Sequence, residues 1–131
     1  MRKLLAVVGV MTMSVSAMAS NQVIEELESS AMMVKTFLNE SADEAKEPGF
    51  CFKVGAAYLA VDQIRALTLN MKEQGYEVSE ISKLSDTLTK KYNVAADYCL
   101  GHGKLDAVPA AVFAAVDAAK KIEALSVGIK K

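Results

Sequence analysis

The sequence predicts an all-α fold, a small four-helix bundle-like domain stapled by one disulfide. Three observations carry that prediction. Four stretches repeat apolar residues at alternating three- and four-residue steps, short breaks marked by glycine or proline separate them, and the two cysteines, Cys51 and Cys99, lie symmetrically about Gly75.

The chain opens with a segment of a different kind. Arg2 and Lys3 are basic, Leu4 to Val15 is an apolar run, and Ala17-Met18-Ala19 is a small-residue cleavage site, the three parts of a secretory signal peptide over residues 1–19. The run falls short of the roughly 20 apolar residues that a membrane-spanning helix needs, so no stable membrane anchor is expected after cleavage. Ser20 then begins a mature chain, residues 20–131, that forms a single helical domain in the periplasm or outside the cell. Losing residues 1–19 leaves 112 residues with 13 basic and 16 acidic side chains, a net charge of −3, and removes four of the seven methionines. Met32, Met33 and Met71 remain and are read as core residues.

The first helix is expected from Val23 to about Lys46. Ile24, Leu27, Ala31, Val34 and Leu38 form its stripe, Asn21 is the candidate cap, and Pro48-Gly49 stops it. Glu25, Glu26, Glu28, Glu40, Asp43, Glu44 and Glu47 read as solvated positions. The second helix is expected from about Phe50 to Gln74, with Val54, Ala57, Val61, Ile64, Leu67 and Met71 in the same rhythm, ending at a left-handed Gly75. A third, from about Glu77 to Cys99, carries Ile81, Leu84, Leu88, Tyr92, Ala95 and Cys99, with Ser85-Asp86 a candidate break. After Gly101-His102-Gly103, an alanine-rich fourth helix runs from about Ala107 to Val127, capped by Asp106 and with Pro109 in its first turn.

Export and geometry together pair the cysteines. In an oxidising compartment two cysteines without a third should join. If the second and third helices form an antiparallel hairpin turning near Gly75, Cys51 and Cys99 lie at one level, each on its apolar stripe: Cys51 with Val54, Tyr58 and Val61, Cys99 with Leu88, Tyr92 and Ala95. The pair lacks the Cys-x-x-Cys spacing of a redox-active site, so a structural bridge is expected.

Composition excludes several functions. A formal charge of −1 on the whole chain lacks the basic footprint of a nucleic-acid binder. One histidine and two cysteines are too few for most zinc enzymes or iron–sulfur proteins, so no metal site is expected. His102 lies between two glycines, where nothing positions it as a catalytic base, and a loop histidine is ordinarily just solvated. Asp62 is the one acid embedded in an apolar run; the simpler reading places it on a partly exposed flank beside Arg65. Cys99-Leu100-Gly101-His102 has one cysteine before its histidine and so is not a haem-attachment run. Haem held by His102 with Met32 or Met33 is the cofactor alternative, and the expectation is no cofactor. Gly55, Ala56, Ala57 and Ala60 form a small-residue surface that Ala111, Ala114, Ala115 and Ala118 are expected to approach closely.

Two families share features with the chain. Phe50-Cys51, Gly55, Tyr58 and Asp62 at a helix start, then Tyr98 and His102 and a Pro109 opening the last helix, resemble the Tai-type immunity proteins of type VI secretion. The resemblance covers about residues 49–115, with Gly103 where that family usually has proline and without its additional cysteines. It implies a small helical periplasmic protein that binds and blocks a cell-wall amidase toxin, through a surface including Phe50, Gly55, Tyr58, Asp62, Tyr98 and His102. Leu59-Ala60-Val61-Asp62 downstream of Cys51, and Tyr98-Cys99 before a charged last helix, are similar to the HdeA acid-stress chaperones. That family implies acid-triggered loosening and capture of unfolding clients, although this chain carries a long helix before its first cysteine. The expectation is therefore a non-catalytic exported protein that binds another protein, either a toxin-like enzyme or unfolding clients, with a small haem or hydrophobic-ligand carrier as the third reading.

Overall fold

The structure, a computed structural model, describes residues 21–38 and 45–129. The signal-peptide reading of residues 1–19, the Ser20 terminus and the acids Glu40, Asp43 and Glu44 lie outside the described residues. Four helices pack around one core: α1 (residues 21–38), α2 (Phe50–Glu73), α3 (Ser79–Cys99) and α4 (Val108–Ser126), with a 3₁₀ turn at Leu105–Ala107. There is no strand among the described residues.

The expected stripes supply the core. Leu27, Val34 and Leu38 of α1, Ile64 and Met71 of α2 and Leu88 of α3 are all buried, and Phe50 of α2 and Ile122 of α4, which no expected stripe included, are buried with them. A helix that hides one side in this way draws most of its stability from packing rather than from intrinsic propensity. α3 lies along both α2 and α4 as consecutive hairpins, whereas α2 and α4 do not run side by side. The expected close approach of the Gly55 surface to the alanines of α4 is therefore not formed. Gly55 faces open space, and Ala111, Ala115 and Ala118 are buried against other neighbours. The Lys35 ammonium donates to the Glu123 carboxylate at 2.8 Å and ties α1 to α4.

The C-terminal ends of α2 and α3 close in the same way. At the end of α2, the Tyr76 N–H donates to the Met71 carbonyl at 3.0 Å and the Gly75 N–H to Lys72 at 3.1 Å, with Gly75 at φ +90°. At the end of α3, His102 N–H donates to Asp97 at 2.8 Å and Gly101 N–H to Tyr98 at 3.0 Å, with Gly101 at φ +83°. These are paired Schellman closures, which use a left-handed glycine to satisfy the last carbonyls of a helix. Gly103 has another reason to be glycine: a Cβ there would stand 2.9 Å from the Tyr98 backbone nitrogen.

Several sequence expectations change. Asn21 already lies within α1 rather than capping it, and Ala45 and Lys46 are in a turn. Asp106 does not cap α4, because the 3₁₀ turn takes over: Ala107 occupies the cap position and the Val108 N–H donates to the Leu105 carbonyl. Pro109 does sit in the first turn, where a missing N–H costs nothing. α3 is continuous through Ser85-Asp86 and starts at Ser79, with Glu77 just outside it accepting from the Ser79 N–H at 3.2 Å and from the Ser79 hydroxyl. Those hydrogen bonds hold the Glu77 carboxyl below the usual range. Met32 and Met33 are 46% and 44% exposed, since the stripe through Leu27, Ala31, Val34 and Leu38 leaves both on other sides of α1; among the described residues Met71 is the one core methionine.

Candidate functional site

The Cys51–Cys99 disulfide joins the start of α2 to the end of α3, with the two Cα atoms 5.5 Å apart. Around it the base of the hairpin is clamped by aromatic side chains. Phe50 is fully buried and stacks at a tilt on Tyr98, ring centroids 6.3 Å apart, and the half-buried Tyr98 donates its hydroxyl to the Ala45 carbonyl at 3.3 Å. Phe50 and Tyr98, expected at a contact surface, thus mainly hold the hairpin closed. Phe50 offers a partner no surface at all. Its register explains this: Phe50 lies one turn before Val54 and two before Ala57 on the inward stripe.

Gly55, Tyr58 and Asp62 do come together on exposed turns of α2. Tyr58 is 56% exposed and lies 6.5 Å from the ring of Tyr92. Tyr92 is buried and donates its hydroxyl to the Val54 carbonyl, linking α3 to α2. Burial, and then the neighbouring Tyr58, push the Tyr92 phenol up to about 12. Asp62 pairs loosely with Arg65 at 3.8 Å, both exposed, as the flank reading expects. Tyr58, Asp62, Arg65, Thr89, Tyr92 and Asn93 edge a shallow groove of about 150 Å³ between α2 and α3. Ligand pockets usually offer roughly 300–1,000 Å³, so this groove suits a protruding side chain rather than a cofactor. His102 is exposed on the turn after α3.

Of the residues that most change the picture, Phe52 and Leu69 were not named from sequence, and Leu59 was named only within the Leu59-Ala60-Val61-Asp62 run. Phe52 and Leu59 are 80% and 72% exposed on the outer side of α2, two turns apart, with only Gly55 and the half-buried Ala56 between them. Leu69 continues that side at 53%. The signal was present in the spacing: once the core stripe is subtracted from α2, a second apolar stripe remains. Elsewhere Leu100, Phe113 and Val127 are exposed singly, which is ordinary for a surface. Among the described residues, no group of three or more His, Cys, Asp or Glu side chains could hold a metal ion, and no helix is long and apolar enough to cross a membrane.

Comparison with family models, with curated proteins and with solved structures finds no match to this chain.

Proposed function

We propose that the chain is an exported, non-catalytic protein that acts by binding another protein, in the manner of an immunity protein or inhibitor. The observation that carries this reading is the outer side of α2, where Phe52 and Leu59 stand almost fully exposed on a helix that is anchored at its base. Contiguous exposed apolar side chains mark surfaces that dock other proteins, and aromatic ones such as Phe are enriched there. The Asp62–Arg65 pair and Tyr58 supply a polar and amphipathic rim beside them. The disulfide and the Tyr92 to Val54 hydrogen bond pre-organise the helix, which reduces the ordering cost of docking.

The test is retention of a partner from a periplasmic extract at neutral pH by the immobilised oxidised protein, compared with Phe52→Ser and Leu59→Ser. A protein held by the native chain and lost from both variants supports the reading. Identical sets held by all three sink it.

An acid-activated chaperone is the second reading, and the Lys35–Glu123 pair favours it. Among the described residues it is the one ion pair joining two helices, with side chains 31% and 22% exposed. Loss of that contact would free α1 from α4 there. Aggregation of a client protein followed from pH 7 to pH 2 separates the two readings, since the inhibitor needs no acid and the chaperone does nothing without it.

A further inference from the structure

We infer that the outer side of α2 pairs with the same side of a second copy of this chain, the two helices running antiparallel. Phe52, Gly55, Leu59, Asp62, Ala66 and Leu69 recur at alternating steps of three and four, and every one is exposed. This is the rhythm of a coiled-coil seam, and it lies on the side of α2 opposite the stripe already spent on the core. At about 1.5 Å per residue the seam is roughly 26 Å long.

Size and charge select the occupant. An antiparallel alignment sets Phe52 of one copy opposite Leu69 of the other, Gly55 opposite Ala66, and Leu59 opposite Asp62. Small residues meet small ones, which lets the backbones approach, and large ones fill the ends. The same alignment brings exposed Lys72 and Glu73, at the end of one α2, to the level of exposed Glu47 and Lys46 before the start of the other. A parallel alignment would set each of these charges against its own kind. On the flank Arg65 comes level with Tyr58 of the other copy, within reach of a cation–π contact. Asp62 is the one discordant member, since the two copies of its carboxylate straddle the two-fold axis.

A seam one helix wide buries a few hundred Å² per copy, less than the roughly 800 Å² per partner of a standard stable interface. The pairing is accordingly weak and concentration-dependent. It does not rest on the partner proposed above, which would compete with it for the same side of α2.

The experiment is sedimentation of the oxidised protein, purified after export, from about 10 µM to about 1 mM, the range that a weak dimer spans. The mass should rise from one chain toward two. Leu59→Glu, folded by circular dichroism, should remain a monomer throughout, and Asp62→Asn should move the midpoint several-fold lower in concentration. Lys72→Glu with Glu73→Lys should weaken the pairing, and adding Lys46→Glu with Glu47→Lys should restore it. A mass of one chain at about 1 mM overturns the inference, even where a different partner protein is retained. So does association that survives Leu59→Glu unchanged, and charge reversals without effect overturn the antiparallel alignment.

Discussion

The two ends of the α2–α3 hairpin use the same backbone closure to opposite purposes. At the connected end, the left-handed Gly75 turns the chain so that the next residue, Tyr76, drops into the core beside Met71. At the open end, Gly101 makes the same turn and the next residue, His102, points to solvent. Backbone hydrogen bonding is satisfied equally in both, so the closure by itself does not decide how firmly an end is held. The connected end is held by burying a side chain, and the open end by a covalent bond with an aromatic clamp around it. A turn that ends a helix need not anchor the residue beyond it.

That difference can be broken most severely at the disulfide. Replacing Cys51 and Cys99 together by alanine should lower the unfolding free energy by about 4 kcal/mol, the chain-entropy value for a loop of this size. Urea unfolding monitored by helicity measures it, and a loss below about 1 kcal/mol would mean that the aromatic clamp suffices. Next in size, Tyr76→Ala should cost about 3 kcal/mol because it empties a core position, whereas His102→Ala, at the equivalent place in the other turn, should change stability by less than about 0.5 kcal/mol. Equal effects on thermal unfolding would erase the contrast between the ends.

The glycines sharpen the comparison further. Gly103→Ala should destabilise by about 1–3 kcal/mol, since its Cβ meets the fixed backbone of Tyr98 at 2.9 Å. Gly75→Ala, strained only through its positive φ, should cost about 1 kcal/mol. Denaturant midpoints of the two variants rank them, and the reverse order would show that the open end yields to make room.

The remaining expected effect is alkaline. Tyr92 keeps its proton more tightly when folded, with its phenol raised to about 12 from the ordinary 10. The unfolded chain therefore gives up that proton first, and stability should fall as pH rises from about 10 to about 12. Tyr92→Phe should remove this part of the pH dependence, which unfolding curves at pH 9, 10 and 11 would show as a flatter trend than in the native protein.

Much of this architecture was legible because it depends on short-range rules. The core stripes of α2 and α3, the left-handed Gly75 and the meeting of Cys51 with Cys99 all follow from helical period and hairpin symmetry, which the sequence displays directly. Helix starts were harder. Asp106 looked like a cap, but a 3₁₀ turn satisfies the same N–H groups and a sequence does not say which solution is used. The surface was hardest. Phe50 and Phe52 differ by two positions, yet one is fully buried and the other 80% exposed, because two residues on a helix subtend about 200°. Phe50 entered the expected contact surface through a family resemblance, which carries no helical phase. Leu59 was noticed as part of an apolar run with Ala60 and Val61, and its outward direction emerges only when α2 is seen to serve the core with its other side.

The placement of the two sulfur atoms has a reciprocal consequence. Whatever free energy the bridge contributes to the fold, the fold must return to the bridge, because the two equilibria form one thermodynamic cycle. A folded chain whose cysteine Cα atoms already stand 5.5 Å apart holds its reduced thiols at a high effective concentration toward each other. Oxidation should therefore be driven by the finished hairpin, and a glutathione buffer able to open the same loop in an unfolded chain should leave it closed in the folded one. The hairpin thus protects its own bridge from reduction.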